Sequence, residues 1–178
     1  FEWEFNLIAS NEANAFCLPG GKVVVNSGIL GVAENPDGLA VVLGHEIAHA
    51  LARHGAERMA QQQLLQLGQM ALGMSMQDMD MQTRRSVMGV FGVGSQFGIL
   101  LPFSRTHESE ADHIGLILMA RACFNPEEAP RFWDRMMSNA NRNAPPQFLS
   151  THPSPEHRIE QLEAWMEEAK AERAKYCS

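Results

Sequence analysis

The chain has 178 residues, enough for one domain with a substantial core and too few for two ordinary domains. Hydrophobic residues make up 45% of it and charged residues 20%, which is typical of a globular chain and excludes a disordered one. The net charge of −7, without any block of basic residues, argues against nucleic acid as a partner. We therefore expect a single domain over residues 1–178, with no internal repeat.

A small β-sheet is predicted in the N-terminal part. The first ten residues, FEWEFNLIAS, alternate apolar and polar side chains as a strand does. The segment NAFCLPGGKVVVNSGIL then indicates a strand, a Pro-Gly-Gly turn and a second strand, which predicts an antiparallel hairpin. Cys17 lies in this hairpin, where we interpret it as a small buried apolar residue.

A helix is predicted to begin at Pro36-Asp37-Gly38, because proline and acidic residues favour a first helical turn, and to continue to about Gln69. It contains the motif HEIAH. His45 and His49 are four residues apart and share one helix face, so they can hold one metal ion. Glu46 lies beside them, and the H-E-x-x-H pattern is typical of zinc peptidases in which the glutamate is the general base.

His54 is nine positions from His45, so a continuous helix would place it on the opposite face, as a surface or packing residue. Residues 70–103 are rich in glycine and methionine and are expected to form helical pieces with a polar break at QDMDMQTRR. The apolar stretch Ser86–Phe103 has 18 residues, at the lower limit for a membrane span, but four glycines interrupt it. We interpret it as a buried or active-site-covering segment, with a membrane-facing hairpin as the alternative.

The C-terminal part is predicted to be helical. We expect helices at Arg105–Cys123, Pro126–Asn141 and Glu156–Lys175, with a loop over residues 142–155. Cys123 and Cys177 lack the spacing of a zinc finger and could pair in an oxidising compartment.

A catalytic zinc site needs a third protein ligand. The class with the motif H-E-x-x-H-x-x-G-x-x-H is excluded, because Ala52 and Gly55 occupy the positions of its glycine and third histidine. The later segment SRTHESEADHIG offers carboxylates instead. Glu108 and Asp112 are four residues apart on one face, whereas Glu110 points away. We assign Glu108 to the metal and expect Asp112 to accept a hydrogen bond from the outer N–H of a metal-bound histidine.

The ordered motifs HEIAH, ESEAD and STHPSPEHR, preceded by NAFCLPGGKVVVNSGIL, resemble the HtpX-like and CAAX-prenyl-protease family of zinc metalloendopeptidases over nearly the whole chain. The resemblance implies an α+β, mostly helical, gluzincin-type peptidase domain with a small β-sheet beside the active-site helix. It implies one Zn²⁺ per chain, bound by His45, His49 and Glu108, with Glu46 as the base.

The resemblance also implies roles for two later residues. His152 would lie near the metal, where it stabilises the reacting carbonyl or occupies the open metal position in a resting state, and Arg158 would lie in the surroundings of the site. We expect an autoinhibited resting state in which residues 70–103 shield the active-site groove. We also expect Val23 and Val25, with Asn14 in the same segment, to bind an extended substrate by β-augmentation.

The expected partners are protein or peptide substrates, unfolded or misassembled, in bacterial envelope quality control. The resemblance is to the soluble envelope type, periplasmic or outer-membrane-associated, and peripheral membrane association is compatible with it. The start at Phe1 predicts a fragment or a mature form.

One alternative function is that of a metal-binding chaperone or adaptor without proteolysis, against which the intact Glu46 argues. The other is a structural zinc protein, which His152 as a fourth ligand would support. Neither the physiological substrate nor the oligomeric state follows from the sequence.

Overall fold

The computed structural model of the chain describes residues 1–18, 20–95, 101–142, 147–153 and 157–177, without the side chains of 101–104 and 140–142. The chain forms two compact units. One unit comprises residues 1–52 and 107–178, and the other comprises residues 53–106.

The first unit contains a three-stranded sheet. Its strands are β1 (Glu4–Ile8), β2 (Ala15–Leu18) and β3 (Lys22–Asn26), in the order β1-β3-β2. Strand β3 pairs antiparallel with β2 and parallel with β1, so the predicted antiparallel hairpin is confirmed. Gly20 and Gly21 in the turn have φ of 93° and 101°, a backbone region that glycine enters without strain.

The described residues otherwise form helices, preceded by a 3-10 turn at Ser27–Ile29. They are α1 (Leu30–Ala33), α2 (Pro36–Leu51), α3 (His54–Ser75), α4 (Met81–Ser95), α5 (Leu101–Arg121), α6 (Glu128–Arg142), α7 (Gln147–Thr151), α8 (Arg158–Ala164) and α9 (Met166–Tyr176). The mostly helical α+β class is thus confirmed.

The core of the first unit is formed by β3 with α2, α5, α6 and α8, and its largest buried side chains include Phe132, Trp133, Phe148 and Leu162. Helix α2 begins where predicted, because the Asn35 side chain accepts a hydrogen bond from the Gly38 amide at 2.8 Å. A disulfide between Cys123 and Cys177 joins the end of α9 to the residues after α5, so the proposed pairing is confirmed.

The prediction of one helix from Pro36 to Gln69 is wrong. Helix α2 ends at Leu51, and Arg53 adopts a left-handed conformation with φ of 58° before α3 begins. Ala52 and Arg53, which separate α2 from α3, are neither glycine nor proline, so residue type does not mark the break at these positions. His54 therefore starts a separate helix, where it is buried, and the helical-phase argument about its face does not apply.

Several other boundaries differ from the predictions. The expected loop at 142–155 contains α7, and Trp165 separates α8 from α9 within the expected last helix. Cys17 is partly exposed, because β2 lies at the sheet edge. In the second unit, the described part of the apolar stretch, Ser86–Ser95, belongs to α4, which has no buried residue. The burial expected for the rest of that stretch cannot be compared with the structure, because residues 96–100 and the side chains of 101–103 lie outside the described part. Within the described part of the chain, no helix has the length and apolar character of a membrane span.

Candidate active site

Four side chains converge at one place in the first unit. His45 and His49 extend from α2, Glu108 extends from α5, and His152 follows α7. One potential ligand atom from each lies within 4.8 Å of all the others. The structure therefore brings the three expected metal ligands together and adds His152 to them.

The spacing of these atoms suits a metal ion. His45 Nε2 lies 3.1 Å from His49 Nε2, 3.2 Å from Glu108 Oε2 and 3.2 Å from His152 Nδ1. Glu108 Oε1 lies 3.3 Å from His49 Nε2 and 3.2 Å from His152 Nδ1. Ligand atoms about 2.0–2.1 Å from a tetrahedral zinc ion are about 3.3–3.4 Å apart, so the set fits such an ion.

Asp112 fixes the orientation of His45. Its Oδ1 lies 2.9 Å from His45 Nδ1, which as the donor leaves the lone pair of Nε2 directed at the other three groups. Burial alone would lower the pKa of His45, but the hydrogen bonds with Asp112 and Glu108 prevail and raise it to about 9, so a metal ion bound at Nε2 would take the place of a proton. Burial lowers the pKa of His49 to about 3, so this ring is a neutral electron-pair donor at pH 7. Asp112 thus occupies the position expected for it.

Arg158 donates hydrogen bonds to the carboxylates of both Asp112 and Glu108. Its Nε donates to Asp112 Oδ2 at 2.6 Å, and its Nη2 donates to Glu108 Oε2 at 2.9 Å. Burial tends to raise the pKa of Glu108, but hydrogen bonds with the three histidines lower it well below its usual range. Glu108 therefore stays ionised, as a metal ligand must.

Glu46 is almost completely buried beside this cluster. Its Oε2 accepts a hydrogen bond from the Cys17 amide of β2 at 3.1 Å. Its Oε1 lies 3.2 Å from His152 Nε2 but accepts no hydrogen bond from the described residues. Burial raises the pKa of Glu46, although the charges of His152 and His45 oppose the rise. A carboxylate with a raised pKa in this position is suited to accept and return a proton.

The expected substrate-binding strand is wrong. Strand β3 is central and paired on both sides, and Val23 and Val25 are buried in the core, so β3 cannot accept a further strand. Among the described residues β2 pairs only with β3, and the Cys17 amide on its other edge reaches Glu46. Asn14 is buried, and its Oδ1 has no hydrogen-bond partner in the described structure.

The sequence did not single out three contributors to the site. Trp133 of α6 lies under the Arg158 guanidinium, Phe148 of α7 lies against the His152 ring, and the backbone amide of Cys17 holds Glu46. Residues 126–141 have an amphipathic pattern, which puts Trp133 on an apolar helix face but does not indicate a contact with Arg158. A backbone amide leaves no signal in residue types.

The fold and the cluster define a gluzincin-type domain, in which an H-E-x-x-H helix meets a glutamate from a later helix. The chain matches the model of peptidase family M48 over residues 1–166, and it belongs to that family.

Named relatives come from mitochondria and from bacteria. The chain is 42% identical to the mitochondrial metalloendopeptidase OMA1 of Schizosaccharomyces pombe over 173 residues, 97% of this chain and 49% of that protein. It is 39% identical to OMA1 of Saccharomyces cerevisiae, over 94% of this chain and 48% of that protein. It is 33% identical to the β-barrel assembly-enhancing protease of Escherichia coli, over 88% of this chain and 33% of that protein.

The chain therefore spans about half or less of the length of these relatives. The match supports the resemblance at the level of peptidase family M48, and the names of these relatives do not bear out the narrower HtpX-like and CAAX-prenyl-protease group.

Proposed function

We propose that residues 1–178 form the catalytic domain of a zinc-dependent endopeptidase. The observation that carries the proposal is the convergence of His45, His49 and Glu108 beside a buried Glu46 that lies outside this ligand set. The position of His152 as a fourth group in the cluster is also what a structural zinc site would show, but a structural site needs no such base. Membership of peptidase family M48 supports the same activity.

One Zn²⁺ per chain is the metal we propose, held by the two α2 histidines and Glu108. Nitrogen and carboxylate ligands at this spacing suit zinc. When bound, zinc polarises the scissile carbonyl and lowers the pKa of water to about 7. Asp112 and Arg158 keep the ligands oriented and the carboxylate ionised.

Glu46 is the proposed general base. Its raised pKa lets it take the proton of the attacking water and return it to the leaving amine. The Cys17 amide holds one carboxylate oxygen, which leaves the other to handle the proton.

His152 is proposed to act in two states. In the resting state its Nδ1 completes the cluster as a fourth group, 3.2 Å from both His45 Nε2 and Glu108 Oε1. When substrate enters, the ring moves aside and donates to the developing oxyanion.

The substrate class that we propose is unfolded or misassembled protein. An extended chain pairing with the outward-facing backbone groups of β2, apart from the Cys17 amide that holds Glu46, would be bound through its backbone with little demand on side chains. Asn14, next to β2 and with a buried unpaired amide oxygen, remains a candidate for substrate contact.

An oxidising compartment is the location we propose, since the Cys123–Cys177 disulfide persists there. Envelope quality control is the narrower proposal. It rests on the likeness to a bacterial protease whose name refers to β-barrel assembly, whereas the likeness to OMA1 favours mitochondria.

Peripheral membrane association is proposed for the α3–α4 hairpin. Helix α3 exposes Leu64, Leu67, Met70 and Met74, and α4 exposes Val87, Val90 and Val93. Residues 53–106 contain five arginines against three acidic residues in an otherwise acidic chain. Exposed apolar helix faces with excess positive charge suit an anionic membrane surface.

The test compares wild type with Glu46→Gln for zinc content and for casein cleavage. We expect one zinc per chain in both proteins and cleavage only by wild type. Exposed Glu163→Gln on α8 serves as the control that retains both properties. Cleavage by zinc-loaded Glu46→Gln would refute the assignment of the base. A wild type that binds zinc and suppresses aggregation but cleaves nothing would favour the chaperone or adaptor alternative.

A further inference from the structure

Trp133 of α6 is 1% exposed and touches the groups that surround the metal-binding cluster. Its ring centroid lies 3.7 Å from Arg158 Cζ, 5.7 Å from the His45 ring and 5.7 Å from the Phe148 ring. We propose that Trp133 is a positioning residue that sets the geometry of the metal site through these contacts without touching substrate.

The first contact fixes Arg158. This guanidinium is 1% exposed, and its Nη1 has no hydrogen-bond partner among the described residues. A buried cation with an unpaired donor is costly unless another group compensates it. The indole face provides that compensation through its negative quadrupole, and it holds the guanidinium in the plane from which Arg158 donates to Asp112 and Glu108.

The other contacts fix two histidine rings. Trp133 meets the His45 ring edge-on, at an interplanar angle of 69°. It stacks on Phe148 at 27°, and Phe148 in turn lies 4.6 Å from the His152 ring. One indole therefore supports His45 directly and His152 through Phe148, in addition to the arginine that holds Glu108.

The space around the indole is nearly closed. A void of about 10 Å³ bounded by Trp133, His45 and Asp112 is at the lower limit of what one water molecule needs. Removing the indole would open room for water beside Asp112. The hydrogen bonds of Asp112 to His45 and Arg158 would then weaken, because water competes for the same atoms.

The experiment compares Trp133→Leu, Trp133→Phe and Phe132→Leu. Phe132 is the matched control, because it is a fully buried neighbour on α6 whose described ring contact is with Trp133. Zinc affinity is measured by chelator competition, stability by urea unfolding, and kcat and KM by cleavage of an unfolded protein. We expect Trp133→Leu to bind zinc about tenfold more weakly and to lose kcat with less than a twofold change in KM. Trp133→Phe should keep most of the zinc affinity and most of kcat. Phe132→Leu should lose stability without losing zinc affinity.

Equal losses of zinc affinity in Trp133→Leu and Phe132→Leu would overturn the inference, as would a Trp133→Phe variant no better than Trp133→Leu. If Trp133→Leu does not fold, Trp133→Met replaces it as an apolar side chain without an aromatic face. The inference rests on the proposed zinc site. A wild type that binds no zinc would refute that site. If the wild type binds zinc and the Trp133 variants have the same zinc affinity and kcat as wild type, only the role of Trp133 is refuted.

Discussion

Gly44 of α2 and Gly115 of α5 touch through their backbones. A Cβ atom added to Gly44 would lie 2.8 Å from the carbonyl oxygen of Gly115, and one added to Gly115 would lie 2.8 Å from the amide nitrogen of His45. Real Cβ atoms do not come so close to backbone atoms, so only glycine fits at either position. This contact brings the helix of His45 against the helix that carries Glu108.

Gly115→Ala is expected to separate the two helices. The added methyl group meets backbone atoms that cannot rotate away, so we expect a loss of about 1–3 kcal/mol in the free energy of unfolding. Zinc affinity should fall as well, because His45 moves relative to Glu108. Urea unfolding and chelator competition measure the two effects. The control is Gly89→Ala in α4, where nothing lies within 4 Å of the new Cβ and a gain of up to about 1 kcal/mol is expected.

The assignment of the third ligand is tested by exchanging carboxylates for amides. Glu108→Gln should lose zinc, because a neutral amide replaces the carboxylate that lies against the three histidines. Glu110→Gln, an exposed position two residues along the same helix, should retain one zinc per chain. Metal analysis after dialysis against a weak chelator decides between them. Loss of zinc from Glu110→Gln alone would reverse the assignment.

The parts of the fold and of the site that the sequence predicts are those that depend on regular local spacing. His45, His49, Glu108 and Asp112 were found because regular helices convert a spacing of four residues into a shared face. The break at Arg53 was missed because a left-handed arginine leaves no pattern in the sequence. The error at β3 arose because strand order follows from long-range pairing, which local alternation does not specify.

The Cys17 thiol is expected to report the charge of Glu46. Burial raises the pKa of this thiol, and the Glu46 carboxylate raises it further, to about 11. Glu46→Gln removes the second cause and lowers the pKa, so the thiolate fraction at pH 8 increases, about tenfold per pKa unit. Alkylation by iodoacetamide at pH 8 should therefore accelerate several-fold in the variant.

The measurement is clean because Cys17 is the one cysteine outside the disulfide. Both proteins are compared with equal zinc loading, and Glu110→Gln serves as a charge control. An unchanged rate in Glu46→Gln would show that Glu46 carries no charge beside Cys17.

The α3–α4 hairpin is expected to bind anionic membranes. Leu67 and Val90 are 62% and 75% exposed on α3 and α4, so each can enter the lipid headgroup region without unfolding the hairpin. Leu67→Glu or Val90→Glu places a charge on this surface and should reduce flotation with phosphatidylglycerol-containing vesicles about tenfold. The matched control is Leu7→Glu in β1, which alters a side chain that is 66% exposed but lies outside the hairpin.

Added salt should weaken the binding of wild type, because arginine–headgroup attraction is screened. Zinc content should be the same in all four proteins, since none of the altered positions belongs to the metal-binding cluster. Failure of wild type to float, or an equal loss in Leu7→Glu, would contradict membrane association through this hairpin.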